Sequence, residues 1–203
     1  MNAGCDVVII DSGGANLASL RYALDRLGAR SRVSNDAQII AAAPRVLLPG
    51  VGAAADAMAR LRAHGLDRLI HGLRAPLLGI CLGMQLLFEH SAEGDTQCLG
   101  LIPGRIARLP QGPDLPVPHM GWNTLTLTHA DPLLEGLSAA DWLYFVHSYA
   151  APVGPATLAT VQYGGPLSAA VRFGNFSGVQ FHPERSSVAG ARVLRNFLSL
   201  PCS

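Results

Sequence analysis

The chain has 203 residues, of which 49% are hydrophobic and 14% are charged, and its formal net charge is +1. A chain of this length can bury its own core, and so small a net charge gives no broad field for holding nucleic acid or a membrane surface. All 15 basic residues are arginine, which excludes Schiff-base chemistry and phosphate binding by a P-loop lysine. We therefore expect one domain over residues 1–203, with neither a nucleic-acid nor a membrane partner.

The cysteine pattern indicates a reducing compartment. Cys5, Cys81, Cys98 and Cys202 are scattered, and the chain opens without the basic segment of a secretory signal. No apolar run reaches the ~18 residues of a membrane span. The sequence has no CxxC pair and no His and Cys at metal-ligand spacing. These features predict reduced thiols, a cytoplasmic location, no metal site and no cofactor.

The first ninety residues alternate short apolar runs with segments of helical periodicity. Strands are predicted at 6–11, 31–34, 46–48 and 76–80, and helices at 17–27, 53–71 and 82–89. Gly28 is placed to end the first helix, and Gly65 to break the second. Strands and helices in alternation, joined by short connections, predict βαβ units on a parallel sheet.

After residue 101 the pattern changes to strands separated by turns. Further strands are predicted at 102–109, 123–128, 143–146, 157–163, 168–173 and 178–181, followed by a helix at 186–198. The proline-rich stretch 110–118 is predicted to be a loop. The whole pattern predicts an α/β fold of three layers, in which a mixed, mostly parallel central sheet is flanked by helices.

A candidate nucleophile lies between a strand and a helix, in Gly79-Ile80-Cys81-Leu82-Gly83. This is the nucleophile elbow, with Cys in the position usually held by Ser. The tight turn exposes the central side chain, and the N-terminus of the helix behind the sulfur favours the reactive thiolate. The pentapeptide alone is equally compatible with a small buried cysteine.

A candidate base comes from the segment Val179 to Glu184. Residues at i and i+2 of an extended segment lie on the same side, so His182 and Glu184 project together beyond a strand end, and Pro183 keeps His182 out of a helix. A carboxylate in this position can orient the imidazole and stabilise its charged form. A surface pair is the alternative for an isolated His-x-Glu, but together with the elbow the residues indicate a triad of Cys81, His182 and Glu184.

Several segments together carry a family resemblance. The sequences GICLGMQ (79–85) and HPE (182–184) resemble those of the class I, triad-type glutamine amidotransferases. The segments PGVG (49–52), HMGWN (119–123) and YFVHSY (144–149) are similar, within that class, to the glutaminase subunits of imidazole glycerol phosphate synthase. The resemblance covers nearly the whole chain and implies the flavodoxin-like fold of these enzymes.

The resemblance implies an activity and a set of site residues. The activity is hydrolysis of L-glutamine to glutamate and ammonia through a thioester on Cys81, with His182 as acid and base and Glu184 as its orienting group. The implied oxyanion donors are the amide of Leu82 and an amide of Val51 or Gly52. The residues implied to hold glutamine are Gly52, Gln85, His147, Ser148 and Tyr149.

The resemblance also implies a partner. In the family, ammonia passes to a separate (β/α)₈-barrel cyclase subunit, which makes imidazole glycerol phosphate and an aminoimidazole carboxamide ribonucleotide in histidine biosynthesis. A chain of 203 residues has no room for a barrel of ~250 residues, so we expect a heterodimer. The candidate interface residues are Asn16, Trp122, Asn123, Tyr144 and Arg185.

The sequence departs from the family pattern at two places. In the first turn, Ser12 and Ala15 stand where the family usually has an aromatic residue and a glycine. The residue after the triad Glu is usually Lys and is Arg185 here, which keeps the charge but presents a planar fork.

Three other functions are compatible with parts of the pattern. A glutaminase for pyridoxal phosphate, anthranilate or folate synthesis would share the chemistry, but HMGWN and YFVHSY argue against it. A hydrolase of γ-glutamyl substrates would work without a partner. A binding subunit without catalytic activity would have no need of all three triad residues.

Overall fold

The computed structural model describes residues 6–12 and 17–201. Fourteen strands and six α-helices are assigned in these residues. The helices are α1 (Leu17–Arg26), α2 (Ala37–Ala41), α3 (Ala54–Ala63), α4 (Leu66–His71), α5 (Leu82–Gln85) and α6 (Ser187–Ser199). The strands are β1 (Val7–Ile10), β2 (Ser31–Ser34), β3 (Val46–Gly50), β4 (Leu77–Cys81), β5 (Phe88–Ser91), β6 (Thr96–Gln97), β7 (Ile102–Arg108), β8 (His119–Asn123), β9 (Thr126–Leu127), β10 (Leu143–His147), β11 (Tyr149–Ala150), β12 (Thr157–Gln162), β13 (Pro166–Phe173) and β14 (Phe176–Val179).

The largest sheet has eight strands in the order β2-β1-β3-β4-β14-β13-β12-β9. The pairs from β2 to β14 are parallel, and those from β14 to β9 are antiparallel. The predicted mixed sheet is therefore confirmed. Its register places Gly50 opposite Cys81, and Ile80 opposite Val179, so the ends of three neighbouring strands meet at one edge.

Helices cover both faces of this sheet. Along β1, Val7 and Ile9 join one buried cluster while Val8 and Ile10 join another. The first cluster includes residues of α1 and α6, and the second includes residues of α2, α3 and α4. Two buried faces explain why β1, β3 and β4 are buried along their whole length and carry no charged residue. None of the helices in the described ranges is long and apolar enough to cross a bilayer.

The prediction of a helix over 82–89 is wrong beyond Gln85. The carbonyls of Leu86 and Leu87 accept hydrogen bonds from residues 99, 101 and 102, and the chain continues as β5, which pairs with β7 and β6. A short apolar run fits a buried strand as well as a helix, so its periodicity could not distinguish them. Because α5 has a single turn, its dipole at Cys81 is smaller than that of the helix we expected.

The second half also differs from its prediction. Its strands do not all join the central sheet, because β8 pairs only with β10, and β5, β6, β7 and β11 form a separate sheet of four strands. Of the strand predicted at 123–128, only Asn123, the last residue of β8, and the two residues of β9 are strand, and β8 begins earlier, at His119. Gly121, with φ of 137°, and the exposed side chains of Met120 and Trp122 hid the alternation there. The strand predicted at 178–181 begins and ends two residues earlier.

Candidate active site

Cys81 lies in the turn that joins β4 to α5. Its φ is 54° and its ψ is −112°, a conformation that costs a non-glycine residue about 1–3 kcal/mol and is held by surrounding packing. That packing requires glycines. A Cβ on Gly83 would lie 1.7 Å from the carbonyl oxygen of Leu48, and one on Gly79 would lie 2.5 Å from that of Gly83. The close approach of α5 to β3 and β4 thus produces the elbow expected from the sequence.

The segment after β14 brings an imidazole and a carboxylate to the same edge of the sheet. Nδ1 of His182 donates to Oε1 of Glu184 over 2.8 Å, and both side chains are buried. Ser186 holds this turn, because its hydroxyl donates to the carbonyl of His182 and accepts from the amide of Tyr144. The amide of His182 in turn donates to the carbonyl of Tyr144 over 2.9 Å.

The charge state of His182 is set by opposing effects. Burial disfavours the imidazolium, but the hydrogen bonds and charges of Cys81 and Glu184 outweigh it and raise the pKa of His182 to about 10. Nε2 of His182 is buried and makes no hydrogen bond of normal geometry within the described part of the chain. The protonated His182 therefore places a positive charge beside Cys81.

Cys81, His182 and Glu184 line a cavity of about 380 Å³. This volume lies within the ~300–1,000 Å³ range of small-molecule sites. Its wall includes the loop Gly50 to Gly52, where Gly52 has φ of +88° and Val51 is 37% exposed. Ser12 is buried and donates its hydroxyl hydrogen to the carbonyl of Pro49, which holds the base of this loop. Leu82, Ser148 and Arg185 also line the cavity.

A chain of buried hydrogen bonds runs along the floor of the cavity. The carbonyl of Tyr149 accepts from Nδ1 of His147 and from Nε2 of Gln85, each over 2.8 Å. Nε2 of Gln85 also donates to Oε1 of Gln180 over 2.9 Å. Both N–H bonds of Gln85 are therefore used inside the protein, and its Oε1 is the atom left to accept a hydrogen bond from a ligand.

A second histidine supports His147 from behind. Nε2 of His147 lies 3.1 Å from Nδ1 of His119, whose ring stacks between Phe145 and Tyr163. Burial is the largest cause that lowers the pKa of each of these histidines to about 4. Both rings are therefore neutral near pH 7, and because the carbonyl of Tyr149 can only accept, Nδ1 of His147 carries its hydrogen.

Three of the proposed interface residues, Trp122, Tyr144 and Arg185, form one surface cluster beside the cavity, and Asn16 is outside the described residues. Trp122 is 50% exposed and meets Tyr144 edge to face, with ring centroids 5.7 Å apart. The guanidinium of Arg185 lies over the Tyr144 ring at 5.1 Å. Asn123 instead donates to the carbonyl of Gln162, so its side chain is engaged within the chain.

The structure thus brings the predicted triad and the predicted glutamine-binding residues around one cavity. Two residues of the site were missed by the sequence analysis, His119 and Gln180. His119 lies in HMGWN and Gln180 two residues before His182, but nothing in either segment indicates what its side chain contacts. Within residues 6–12 and 17–201, no group of three His, Cys, Asp or Glu side chains could hold a metal ion.

Comparison with known proteins places this site in a family. A sequence model of the glutamine amidotransferase class-I family matches residues 8–200. The chain is 55% identical over 195 residues to "Imidazole glycerol phosphate synthase subunit HisH" of Xanthomonas campestris pv. campestris (strain 8004), covering 96% of this chain and 98% of the relative. The protein of the same name from Xylella fastidiosa (strain Temecula1 / ATCC 700964) is also 55% identical, with the same coverage.

Solved structures share the fold. A crystal structure of a glutamine amidotransferase superposes with a TM-score of 0.73 at 22% identity, covering 95% of this chain and 96% of that one. A glutamine amidotransferase from Thermotoga maritima gives 0.67 at 13% identity, with coverage of 96% and 98%. The chain belongs to the class I glutamine amidotransferase family, and within it to the family of HisH subunits.

Proposed function

We propose that this chain is the glutaminase subunit of an imidazole glycerol phosphate synthase, which hydrolyses L-glutamine and delivers the ammonia to a cyclase subunit in histidine biosynthesis. The observation that carries the proposal is the elbow cysteine, Cys81, beside the buried ion pair of His182 and Glu184 at the wall of one cavity. The identity of 55% to HisH subunits supports the choice of synthase.

The proposed reaction begins at the sulfur. The thiolate of Cys81 attacks the side-chain amide carbon of glutamine, and protonated His182 gives its Nε2 proton to the leaving nitrogen, so that ammonia departs and a thioester remains. Neutral His182 then takes a proton from water, which attacks the thioester and releases glutamate. Glu184 holds Nδ1 throughout and stabilises the imidazolium.

The oxyanion formed in each step needs N–H donors. We assign one to the amide of Leu82, directly after Cys81, and a second to the amide of Val51 or Gly52 across the cavity. The positive φ of Gly52 is a conformation that glycine adopts at little cost, so a peptide of this loop can change orientation when substrate or partner binds.

The remaining lining residues are assigned to glutamine. Gly52, Gln85, His147, Ser148 and Tyr149 are proposed to hold its backbone and side chain. Because both N–H bonds of Gln85 are used within the protein, its contribution is an acceptor oxygen, which suits the substrate's ammonium group. Neutral His147 contributes position rather than charge, since burial lowers its pKa to about 4.

The partner is proposed to be a (β/α)₈-barrel cyclase chain, bound as a heterodimer through Trp122, Tyr144 and Arg185, and Asn16 and Asn123 remain candidate interface residues. Ammonia is largely protonated in neutral water and then no longer nucleophilic, so direct transfer fits the chemistry. We also propose that residues 1–203 form one domain, which the family match over 8–200 supports. The cytoplasmic location stays a prediction.

The first test measures glutamate release from L-glutamine by the chain alone and in complex with the cyclase subunit and its ribonucleotide ligand. We expect little activity alone and a large rise in the complex. Full activity without the partner would instead indicate an independent amidohydrolase.

A substitution tests the division of labour. In Cys81→Ala, we expect glutamine-dependent activity of the complex to fall by about 10⁴-fold or more, because the nucleophile is gone. Synthesis from added ammonia should persist. Cys98→Ala is the matched control, since Cys98 is also buried and free but does not line the cavity. Loss of both activities in a correctly folded complex would contradict the proposal.

A further inference from the structure

Gln180 directly follows β14, and its buried side-chain amide faces the sulfur of Cys81. The register pairs Val179 with Ile80 across the parallel strands β14 and β4, so the next residues, Gln180 and Cys81, lie beside each other at the sheet edge. Gln180 is fully buried. Its Nε2 lies 3.7 Å from Sγ of Cys81, within the longer range of hydrogen bonds to sulfur.

The hydrogen-bond chain determines which way this amide points. The carbonyl of Tyr149 can only accept, so Gln85 must turn its Nε2 toward it. The second hydrogen of the same Nε2 reaches Gln180, which must therefore present Oε1. The Nε2 of Gln180 is then left facing Cys81. The donor is thus aimed at the sulfur by contacts that begin on a different strand, β11.

We propose that Gln180 is a positioning residue for the nucleophile: it holds an N–H on Sγ of Cys81 and links the sulfur, through Gln85, to the floor of the cavity. Hydrogen bonds to a charged acceptor are stronger than those to a neutral one, so this donor favours the thiolate over the thiol. The inference rests on the proposed role of Cys81 as nucleophile.

The other groups around the sulfur differ in whether they favour the thiol or the thiolate. The carbonyl of Val146, on β10, lies 3.7 Å from Sγ and suits the thiol, which can donate to it. His182, oriented by Glu184, favours the thiolate from the segment after β14, while the neutral His147 on β10 adds no charge. The single turn of α5 gives little dipole. Gln180 therefore adds a second group that favours the thiolate, beside His182.

Two near-isosteric variants test the proposal. Gln180→Met removes the amide, and Gln180→Glu keeps an oxygen that can accept from Gln85 but puts a carboxylate against the sulfur. The readout is the rate of Cys81 alkylation by iodoacetamide as a function of pH, followed by mass spectrometry, with kcat for glutamine in the complex as a second measurement. We expect the pH midpoint of alkylation to rise by about one unit in Gln180→Met, a tenfold loss of thiolate below the midpoint, and further in Gln180→Glu.

The control is Ser177→Ala. Ser177 is also buried and polar and lies on β14, three residues before Gln180, but its hydroxyl accepts from Arg172 and not from the site. The alkylation profile of Cys81 in Ser177→Ala should therefore match that of the unaltered chain. A wild-type profile and kcat in Gln180→Glu, or an equal shift in Ser177→Ala, would overturn the proposal. Alkylation needs no glutamine, so retained glutaminase activity in Cys81→Ala, or none in the unaltered complex, would count against the proposed function without changing the alkylation profiles.

Discussion

Burial and charged neighbours set the charge of single histidines around the site. His119 and His147 are neutral because burial lowers their pKa to about 4, whereas the raised pKa of His182 keeps it charged. The three rings lie near one cavity, and the neighbours of each determine its protonation. A histidine whose pKa is lower in the folded state than in the unfolded state makes stability depend on pH.

The sign of that dependence is clear. Between pH 6.5 and pH 4, the unfolded chain binds a proton at His119 that the folded chain excludes, so the free energy of unfolding falls as the pH falls. The stability is fully present above pH 6.5. One pKa unit corresponds to about 1.4 kcal/mol. We therefore expect His119→Gln to reduce the fall in the free energy of unfolding between pH 7 and pH 4.5 by roughly 1–3 kcal/mol.

Urea unfolding at these two pH values measures the effect. His64→Gln is the control, because His64 is exposed at the end of α3 and the loss of stability should remain as in the unaltered chain. The same loss of stability in His119→Gln would contradict the prediction.

Among the elements, the elbow shows which structural features local sequence can predict and which it cannot. Cys81 could be placed in a strand-to-helix turn because glycines are required within two residues on either side. The end of α5 could not be predicted, since it depends on pairing of β5 with residues 102–106, more than ten positions away. Gln180 was missed for the same reason, because its role follows from the register of β14 against β4.

The elbow also permits a sharp test of packing. In Gly83→Ala, the new Cβ would lie 1.7 Å from the carbonyl oxygen of Leu48, so α5 must move away from β3. We expect a loss of about 3 kcal/mol in the free energy of unfolding, at the upper end of overpacking costs, and loss of glutaminase activity in the complex. Thermal and urea unfolding measure the first effect and glutamate release the second.

Gly154→Ala is the matched control. Gly154 is exposed, and a Cβ added there would meet no other part of the protein within 4 Å beyond its chain neighbours, so this variant should keep both stability and activity. A folded, active Gly83→Ala chain would show that the tight contact between α5 and β3 is dispensable.

At the scale of the whole molecule, the candidate interface and the active site share one strand. Tyr144 on β10 contacts Trp122 and Arg185 with its ring, while its backbone is hydrogen-bonded to His182 and Ser186. A partner that docks on this patch therefore touches the residue whose carbonyl accepts the backbone hydrogen bond of His182. This arrangement gives a short physical route by which binding of the cyclase subunit could alter the site.

The exposed aromatic side chain of this patch leads to a prediction about the affinity for the proposed partner. Trp122 is a half-exposed aromatic side chain, the kind that carries much of the energy of an interface. For Trp122→Ala we expect the Kd for the cyclase subunit to rise about 30-fold, equivalent to roughly 2 kcal/mol, in isothermal titration calorimetry. Phe173→Ala is the control, because Phe173 is 54% exposed but lies at the other end of the sheet, where β13 turns into β14. An equal loss in both variants, or none in Trp122→Ala, would place the interface elsewhere.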